Sequence, residues 1–249
     1  MHVASRMSRL GTESAFEVLA RARALERQGK RIIHLEIGEP DFDTPEHIKT
    51  AAKQALDAGA THYGPSAGLP ELREAIAKHI GETRGVPVSP DEVVVTPGAK
   101  PIMFFTIMAL VGEGDEAIYP NPGFPIYESG IRFVGGVPVP IPLREETGFG
   151  FDMAELERRV SSRTKLIIIN SPENPTGGVL ERAQIERIAA IAAERRIPVL
   201  ADEIYRQFLY DGEFQSIMSL PGMREHTILL AGFSKSYAMP GWRLGYGVM

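Results

Sequence analysis

The 249-residue chain contains no cysteine. That absence removes disulfides, iron–sulfur clusters, thiolate zinc sites and cysteine nucleophiles, and it fits a reducing compartment. Basic residues are in deficit, 27 Lys and Arg against 32 Asp and Glu, for a net charge of −5. Such a chain lacks the positive field of a general nucleic-acid binder. Long apolar runs are also missing: the longest, Pro101 to Val111 with Thr106 inside it, is far short of the roughly 18 residues of a membrane span. The first residues, Met1-His2-Val3-Ala4-Ser5-Arg6, lack the apolar core of a secretion signal. The six histidines are scattered without metal-ligand spacing. The expectation is a cytoplasmic protein with no nucleic-acid or membrane partner.

Apolar residues make up 43% of the chain and charged residues 24%, an ordinary globular mix. At roughly 150 residues per domain, the length allows one large domain or two small ones. The 25 glycines and 19 prolines announce many tight turns. Short apolar runs recur at Val93-Val94-Val95, Ala117-Ile118-Tyr119, Leu166 to Ile169, Pro198 to Ala201 and Ile228 to Ala231. They read as parallel strands buried on both faces. Helical patterns separate most of them: Lys100 to Val111, Met153 to Val160 with Asp152 as N-cap, and Leu180 to Arg195. This alternation predicts an α/β fold with a mostly parallel sheet flanked by helices. Upstream, the pattern predicts a helix over Ser14 to Gln28 and a short strand over Ile32 to Ile37. A helix from Thr44-Pro45 to about Ala58, capped by the threonine, and another from Gly68-Leu69-Pro70 to about Thr83 follow. Residues 1–44 read as an N-terminal arm or part of a small domain, and residues 45–249 as the main domain.

Each run is followed by a turn-rich polar cluster: Thr96-Pro97-Gly98-Ala99, Pro120 to Phe124, Asn170 to Gly177, Asp202-Glu203-Ile204-Tyr205 and Gly232-Phe233-Ser234-Lys235. Open α/β sheets bind ligands at the carboxyl ends of their strands, so all five clusters meet on one edge. Gly98-Ala99 opens a helix whose free N–H groups face an anion. Arg243 and Ser234 add a cation and a hydroxyl, Phe124 a flat ring, Asp202 a carboxylate, Tyr205 a phenol, Asn174 an amide and Lys235 a primary amine. A phosphate, an aromatic ring, a cationic ring nitrogen and an aldehyde would together engage them all. Pyridoxal phosphate has those parts.

The run from Gly232 to Gly245, with its Lys235-to-Arg243 spacing, resembles the cofactor-attachment motif of the class I/II aminotransferases, which are fold-type I pyridoxal-phosphate enzymes of the aspartate aminotransferase kind. Asn174-Pro175-Thr176-Gly177 and Asp202-Glu203-Ile204-Tyr205 match other family blocks in order, as do Gly38-Glu39-Pro40-Asp41-Phe42 and Tyr63 to Arg73. The resemblance covers nearly the whole chain and implies a fold-type I large domain. It implies that Lys235 forms the Schiff base and shuttles the α-proton, that Asp202 pairs with the pyridine nitrogen, and that Tyr205 and Asn174 bond the ring 3′-oxygen. Asn174 and the Gly38 backbone would also meet the substrate carboxylate. Arg243, Ser234 and the Gly98, Ala99 and Lys100 backbone would hold the phosphate, and Phe124 would stack on the ring. Tyr63 would reach the phosphate of a neighbouring subunit, implying a homodimer. Where many family members carry a phosphate-binding serine, three residues before the lysine, this chain has Gly232.

Family members continue beyond the position of Met249 into a small domain carrying the arginine that grips the substrate α-carboxylate. The resemblance thus implies a truncated chain with most of a cofactor site and part of a substrate site. The implied reaction moves an amino group from an L-amino acid, by overall resemblance of the aspartate type, to a 2-oxo acid in ping-pong fashion. The alternatives are a lyase or decarboxylase built on the same machinery, or a non-catalytic cofactor-binding fragment. Gly64-Pro65-Ser66-Ala67-Gly68, with Asp202 and His226 downstream, spells a hydrolase elbow and triad order but lacks the strand an elbow needs. Ser162 to Lys165 and the loose glycine pattern at Gly112 and Gly114 both precede a strand, which is the wrong context for a serine–lysine pair or a dinucleotide loop.

Overall fold

A computed structural model describes residues 2–11 and 14–249. Among these, seven strands form one sheet: β1 (Val93–Thr96), β2 (Glu116–Asn121), β3 (Val137–Pro142), β4 (Thr164–Asn170), β5 (Val199–Asp202), β6 (Thr227–Gly232) and β7 (Gly245–Val248). Their spatial order is β1-β7-β6-β5-β4-β2-β3. β7 runs antiparallel to both β1 and β6, and the pairs from β6 across to β3 are parallel. Six strands therefore share one direction, and their carboxyl ends lie along one edge.

The apolar runs form strands because both faces of the sheet are covered. Within β4, Ile167 and Ile169 pack into one core with Val199, Ala201, Ile185 and Ile188, while Leu166 and Ile168 pack into another with Leu200, Ile102, Met103 and Ile131. Alternate residues point to opposite faces, so a strand buried on both sides must be apolar throughout. The first core lies under α6 (Met153–Arg159) and α7 (Arg182–Arg195), and the second under α4 (Lys100–Leu110) and α5 (Ile126–Phe133). A third core joins α3 (Pro70–Arg84) to β1, β6 and β7. The Asp152 cap of α6 is present, with Oδ1 accepting from the Glu155 N–H at 3.0 Å.

The segment before the sheet departs from expectation twice. Residues 32–37 form no strand; Ile33 and Leu35 are 80% and 90% exposed. Among the described residues no strand pairs with the segment, and a lone extended stretch has no ladder to join. Helix α2 (Glu46–Asp57) is capped by Pro45 rather than Thr44. The Thr44 hydroxyl is used elsewhere: it donates to the Ala238 carbonyl and accepts from Trp242 Nε1, tying the chain before α2 to the loop before β7. Helix α1 (Ser14–Glu26) forms where the pattern places it. Strand β3 and helix α5 carry no expectation above. In β3 the prolines at 138, 140 and 142 alternate, so their missing N–H groups all fall on one side, and β3 is an edge strand that tolerates this.

Candidate active site

At the carboxyl edge lies a cavity of about 710 Å³. Every post-strand cluster contributes to its wall: Ala99 and Lys100 after β1, Phe124 after β2, Asn170 and Asn174 from β4 onward, Asp202 and Tyr205 after β5, and Ser234 and Lys235 after β6. Arg243 closes one side, and the arm adds Phe16 and Glu36 through Glu39, including Gly38. The structure thus brings together the candidate residues, with Gly98 standing directly behind Arg243. The exception is Tyr63, which is fully exposed and does not reach the cavity of its own chain.

One end of the cavity is built at the start of α4. The first N–H groups of a helix have no partner inside it and carry its positive end. Gly98 has φ +85°, and a Cβ there would overlap the Arg243 guanidinium. Only glycine gives both the left-handed turn and the close approach of that cation. Arg243 itself sits at φ 55°, and its Nη1 donates to the Pro240 carbonyl at 2.7 Å. Gly232 pairs with Gly245 across β6 and β7, where an added Cβ would come within 3.1 Å of the Gly245 Cα. A serine there would press on the neighbouring strand, which gives the glycine a packing reason.

The carboxylate lies at the opposite end. Asp202, the last residue of β5, is 6% exposed. Its Oδ2 accepts from the Tyr127 hydroxyl at 2.7 Å and its Oδ1 from the Ile204 N–H at 3.2 Å. Burial pushes its carboxyl up to about 6, opposed by those two donors. Burial, reinforced by Asp202, holds the Tyr127 hydroxyl well above its ordinary range, so it remains a donor. Tyr127 is completely buried and edge-on to Phe124, their ring centroids 5.8 Å apart. Sequence reading missed Tyr127, whose only signal is an aromatic on the inward face of α5.

Between the two ends stand the amine, phenol and amide. Lys235 Nζ donates to the Gly38 carbonyl and lies 5.9 Å from the centre of the Tyr205 ring. Asn174 Nδ2 donates to the Tyr205 hydroxyl at 3.4 Å. Asn170, which the sequence places in a polar cluster without a role of its own, links these parts: its Nδ2 donates to the Asp202 carbonyl at 3.0 Å and its Oδ1 accepts from the Asn174 N–H at 2.9 Å. Lys100 Nζ lies 5.3 Å from the Phe124 ring centre and 5.9 Å from that of Phe16, a cation over two aromatic faces near the arm. Among the described residues no cluster of His, Asp or Glu is arranged to hold a metal ion, and no helix is long and apolar enough to cross a membrane.

A family model described as aminotransferase class I and II matches residues 30–249. A probable aspartate/prephenate aminotransferase of Aquifex aeolicus is 45% identical over 246 residues, which are 98% of this chain and 62% of that protein. An aspartate aminotransferase of Pyrococcus abyssi is 48% identical over 219 residues, 87% of this chain and 56% of that protein. The solved aspartate aminotransferase of Thermus thermophilus with maleate superposes with a TM-score of 0.96 at 40% identity, covering 100% of this chain and 64% of that one. The chain therefore spans about three-fifths of the length of these relatives.

Proposed function

The chain belongs to the aminotransferase class I and II family, with that family's fold-type I architecture, and on that footing we propose that its cavity binds pyridoxal phosphate and serves amino-group transfer from an L-amino acid to a 2-oxo acid. The observation that carries this reading is the meeting of Lys235, Asp202, the Asn174–Tyr205 pair and the Gly98–Arg243 anion cradle on one cavity of about 710 Å³. The fit is chemical as well as spatial. A buried carboxylate raised to about 6 gains from a cationic ring nitrogen beside it, and an anion suits the start of α4 and Arg243. When bound, the cofactor supplies an electron sink that stabilises negative charge at the substrate α-carbon.

The chain's own groups then divide the work. Asp202 holds the proton of the ring nitrogen. Tyr127 holds Asp202 in place and keeps it charged. Asn174 Nδ2 and the Tyr205 hydroxyl would donate to the ring 3′-oxygen, and Phe124 would form the wall against the ring. Lys235 Nζ would anchor the cofactor and, as a free amine, would move the α-proton as a general base and acid. Arg243, Ser234 and the N–H groups of Ala99 and Lys100 would hold the phosphate. Asn174 and the Gly38 backbone meet the substrate carboxylate.

The arm, residues 1–44, supplies Phe16 and Glu36 to Glu39 to the cavity wall. The full exposure of Tyr63 suits a homodimer in which it serves the neighbouring site. The names of the relatives support an aspartate-type donor, and a cytoplasmic location fits such an enzyme.

The test uses the 249-residue chain. Pyridoxal phosphate is added, the visible absorption recorded, the adduct reduced with borohydride and the peptide mapped. The expected label is on Lys235, and Lys235→Ala is expected to lose it. A label elsewhere, or one that survives in the variant, would refute the assignment. Amino transfer to a 2-oxo acid, rather than release of carbon dioxide or an eliminated product, then separates this reading from a lyase or decarboxylase.

A further inference from the structure

We propose that Glu173 is a positioning residue for Asn174, its buried carboxylate closing the turn that presents the Asn174 amide to the cavity. The inference rests on the cofactor reading above. Glu173 is 6% exposed and does not line the cavity, whereas Asn174 next to it does. Its Oε2 accepts twice from Thr176, from the N–H at 2.9 Å and from the hydroxyl at 2.6 Å. The Thr176 hydroxyl in turn accepts from the Gly178 N–H at 3.1 Å. Backbone bonds complete the ring: Glu173 N–H to the Gly178 carbonyl and Gly177 N–H to the Glu173 carbonyl, each 2.8 Å. Asn174 is held from one side by Asn170 and from the other by this turn.

A turn of this kind needs only an acceptor facing Thr176, which an uncharged Asn or Ser supplies. The chain instead buries a carboxylate, and its Oε1 is buried with no hydrogen-bond partner among the described residues. Buried polar atoms are nearly always satisfied, so this exception asks for a reason. Charged acceptors make the stronger bonds. A rigid turn is of use here because Asn174 must hold its Nδ2 toward Tyr205 and the ring oxygen. Burial raises the Glu173 carboxyl, and the titratable groups that feel its charge are Asp202 and Tyr127, both of which it pushes up.

The experiment reads the pH midpoint of the visible band of the lysine-bound cofactor. A donor to the ring 3′-oxygen favours negative charge there and lowers that midpoint. Asn174→Ala is expected to raise it. Glu173→Ala is expected to raise it in the same direction, by about half to one pH unit. The double variant should add nothing to Asn174→Ala alone, since both act through one amide. Glu173→Gln keeps an acceptor for Thr176 but gives up the charge, so its midpoint should rise less than that of Glu173→Ala.

A purely structural loss would lower the amount of cofactor bound without moving the midpoint. If Glu173→Ala does not fold, Thr176→Val, which deletes one of the two donors, should show a smaller rise. An unmoved midpoint in Glu173→Ala, or in Thr176→Val where that variant decides, overturns the proposal while Asn174→Ala still shifts. So do additive shifts in the double variant. A wild-type chain with no visible band overturns the cofactor reading itself, and this inference with it.

Discussion

The Tyr127 hydroxyl donates to Asp202 Oδ2 over 2.7 Å, and neither side chain is open to solvent. In sequence the two lie 75 residues apart. The bond works against burial, which by itself drives the Asp202 proton affinity upward. Tyr127→Phe removes the donor and keeps the ring. A hydrogen bond to a charged group contributes about 1.5–3 kcal/mol, so pyridoxal phosphate should bind roughly 10- to 100-fold more weakly. Trp242, the chain's one tryptophan and the neighbour of Arg243, offers a fluorescence signal for the titration. Equal affinities would remove Tyr127 from the site.

Gly98 combines a left-handed backbone with the close approach of a guanidinium. Gly98→Ala strains the first by about 1–2 kcal/mol and displaces the second. The expected result is cofactor affinity weakened on the order of tenfold or more, a change of about 1.4 kcal/mol per decade. Gly59, at φ +81° with open space around it, is the control. Gly59→Ala should lose comparable stability and keep its affinity. If both variants bind alike, the guanidinium contact has no part in holding the phosphate.

Behind the site, Arg84 and Glu203 form an ion pair with side chains 3% and 4% exposed, at 2.6 Å through Nη2 and 2.9 Å through Nε. The Ser216 hydroxyl donates to the other Glu203 oxygen. The pair joins the last turn of α3 to the residue after Asp202. Arg84→Met takes the ion-pair partner from a buried carboxylate and leaves Arg206 as the cation that still feels it, and up to about 3–5 kcal/mol of stability is expected to be lost in urea unfolding. Adding Glu203→Leu should recover part of it, because two apolar groups replace the pair while Arg206 and the Ser216 hydroxyl lose their carboxylate partner. No recovery would mean that the fold needs the ion pair for more than neutralisation.

The parts of this molecule that were legible in the sequence share one property: their signal is local. Strand β4 reads as Leu166 to Ile169 because both sheet faces demand apolar residues, and the run from Gly232 to Gly245 keeps its spacing in the chain. Strand β3 was hidden because its alternating prolines suppress the ordinary strand signal, which only an edge position permits. Residues 32–37 misled for the opposite reason: they alternate like a strand but have no neighbour to pair with. Tyr127 and Arg84 act through partners brought together by folding, and nothing in their neighbours along the chain marks them; Asn170, Glu173 and Glu203 fall inside marked clusters, but their partners come only with the fold. The Thr44 hydroxyl bonds 194 residues downstream, a contact no capping rule foresees.

Asp202 also sets a pH dependence for the cofactor-free chain. Its ordinary value is 3.8, and burial raises it to about 6 in the folded state. Between those values the native state binds more protons than the unfolded one. The contribution of this group to stability is therefore fully present below about pH 3.8 and is lost as the pH rises through about 6. At 1.36 kcal/mol per unit, the charged carboxylate costs about 3 kcal/mol at pH 8. Asp202→Asn keeps the shape, lets Nδ2 donate to the Tyr127 hydroxyl, and carries no charge to bury. Without cofactor, the variant should be more stable than wild type at pH 8 by up to about 3 kcal/mol, with the advantage shrinking through pH 6 and gone near pH 4. Adding pyridoxal phosphate at pH 8 should reverse the order, because only the carboxylate gains from a cationic ring nitrogen. Urea unfolding across that pH range measures both. Parallel curves for the two proteins would show that the Asp202 charge is not strained without cofactor, and the carboxylate would then lose its stored preference for a cationic ring.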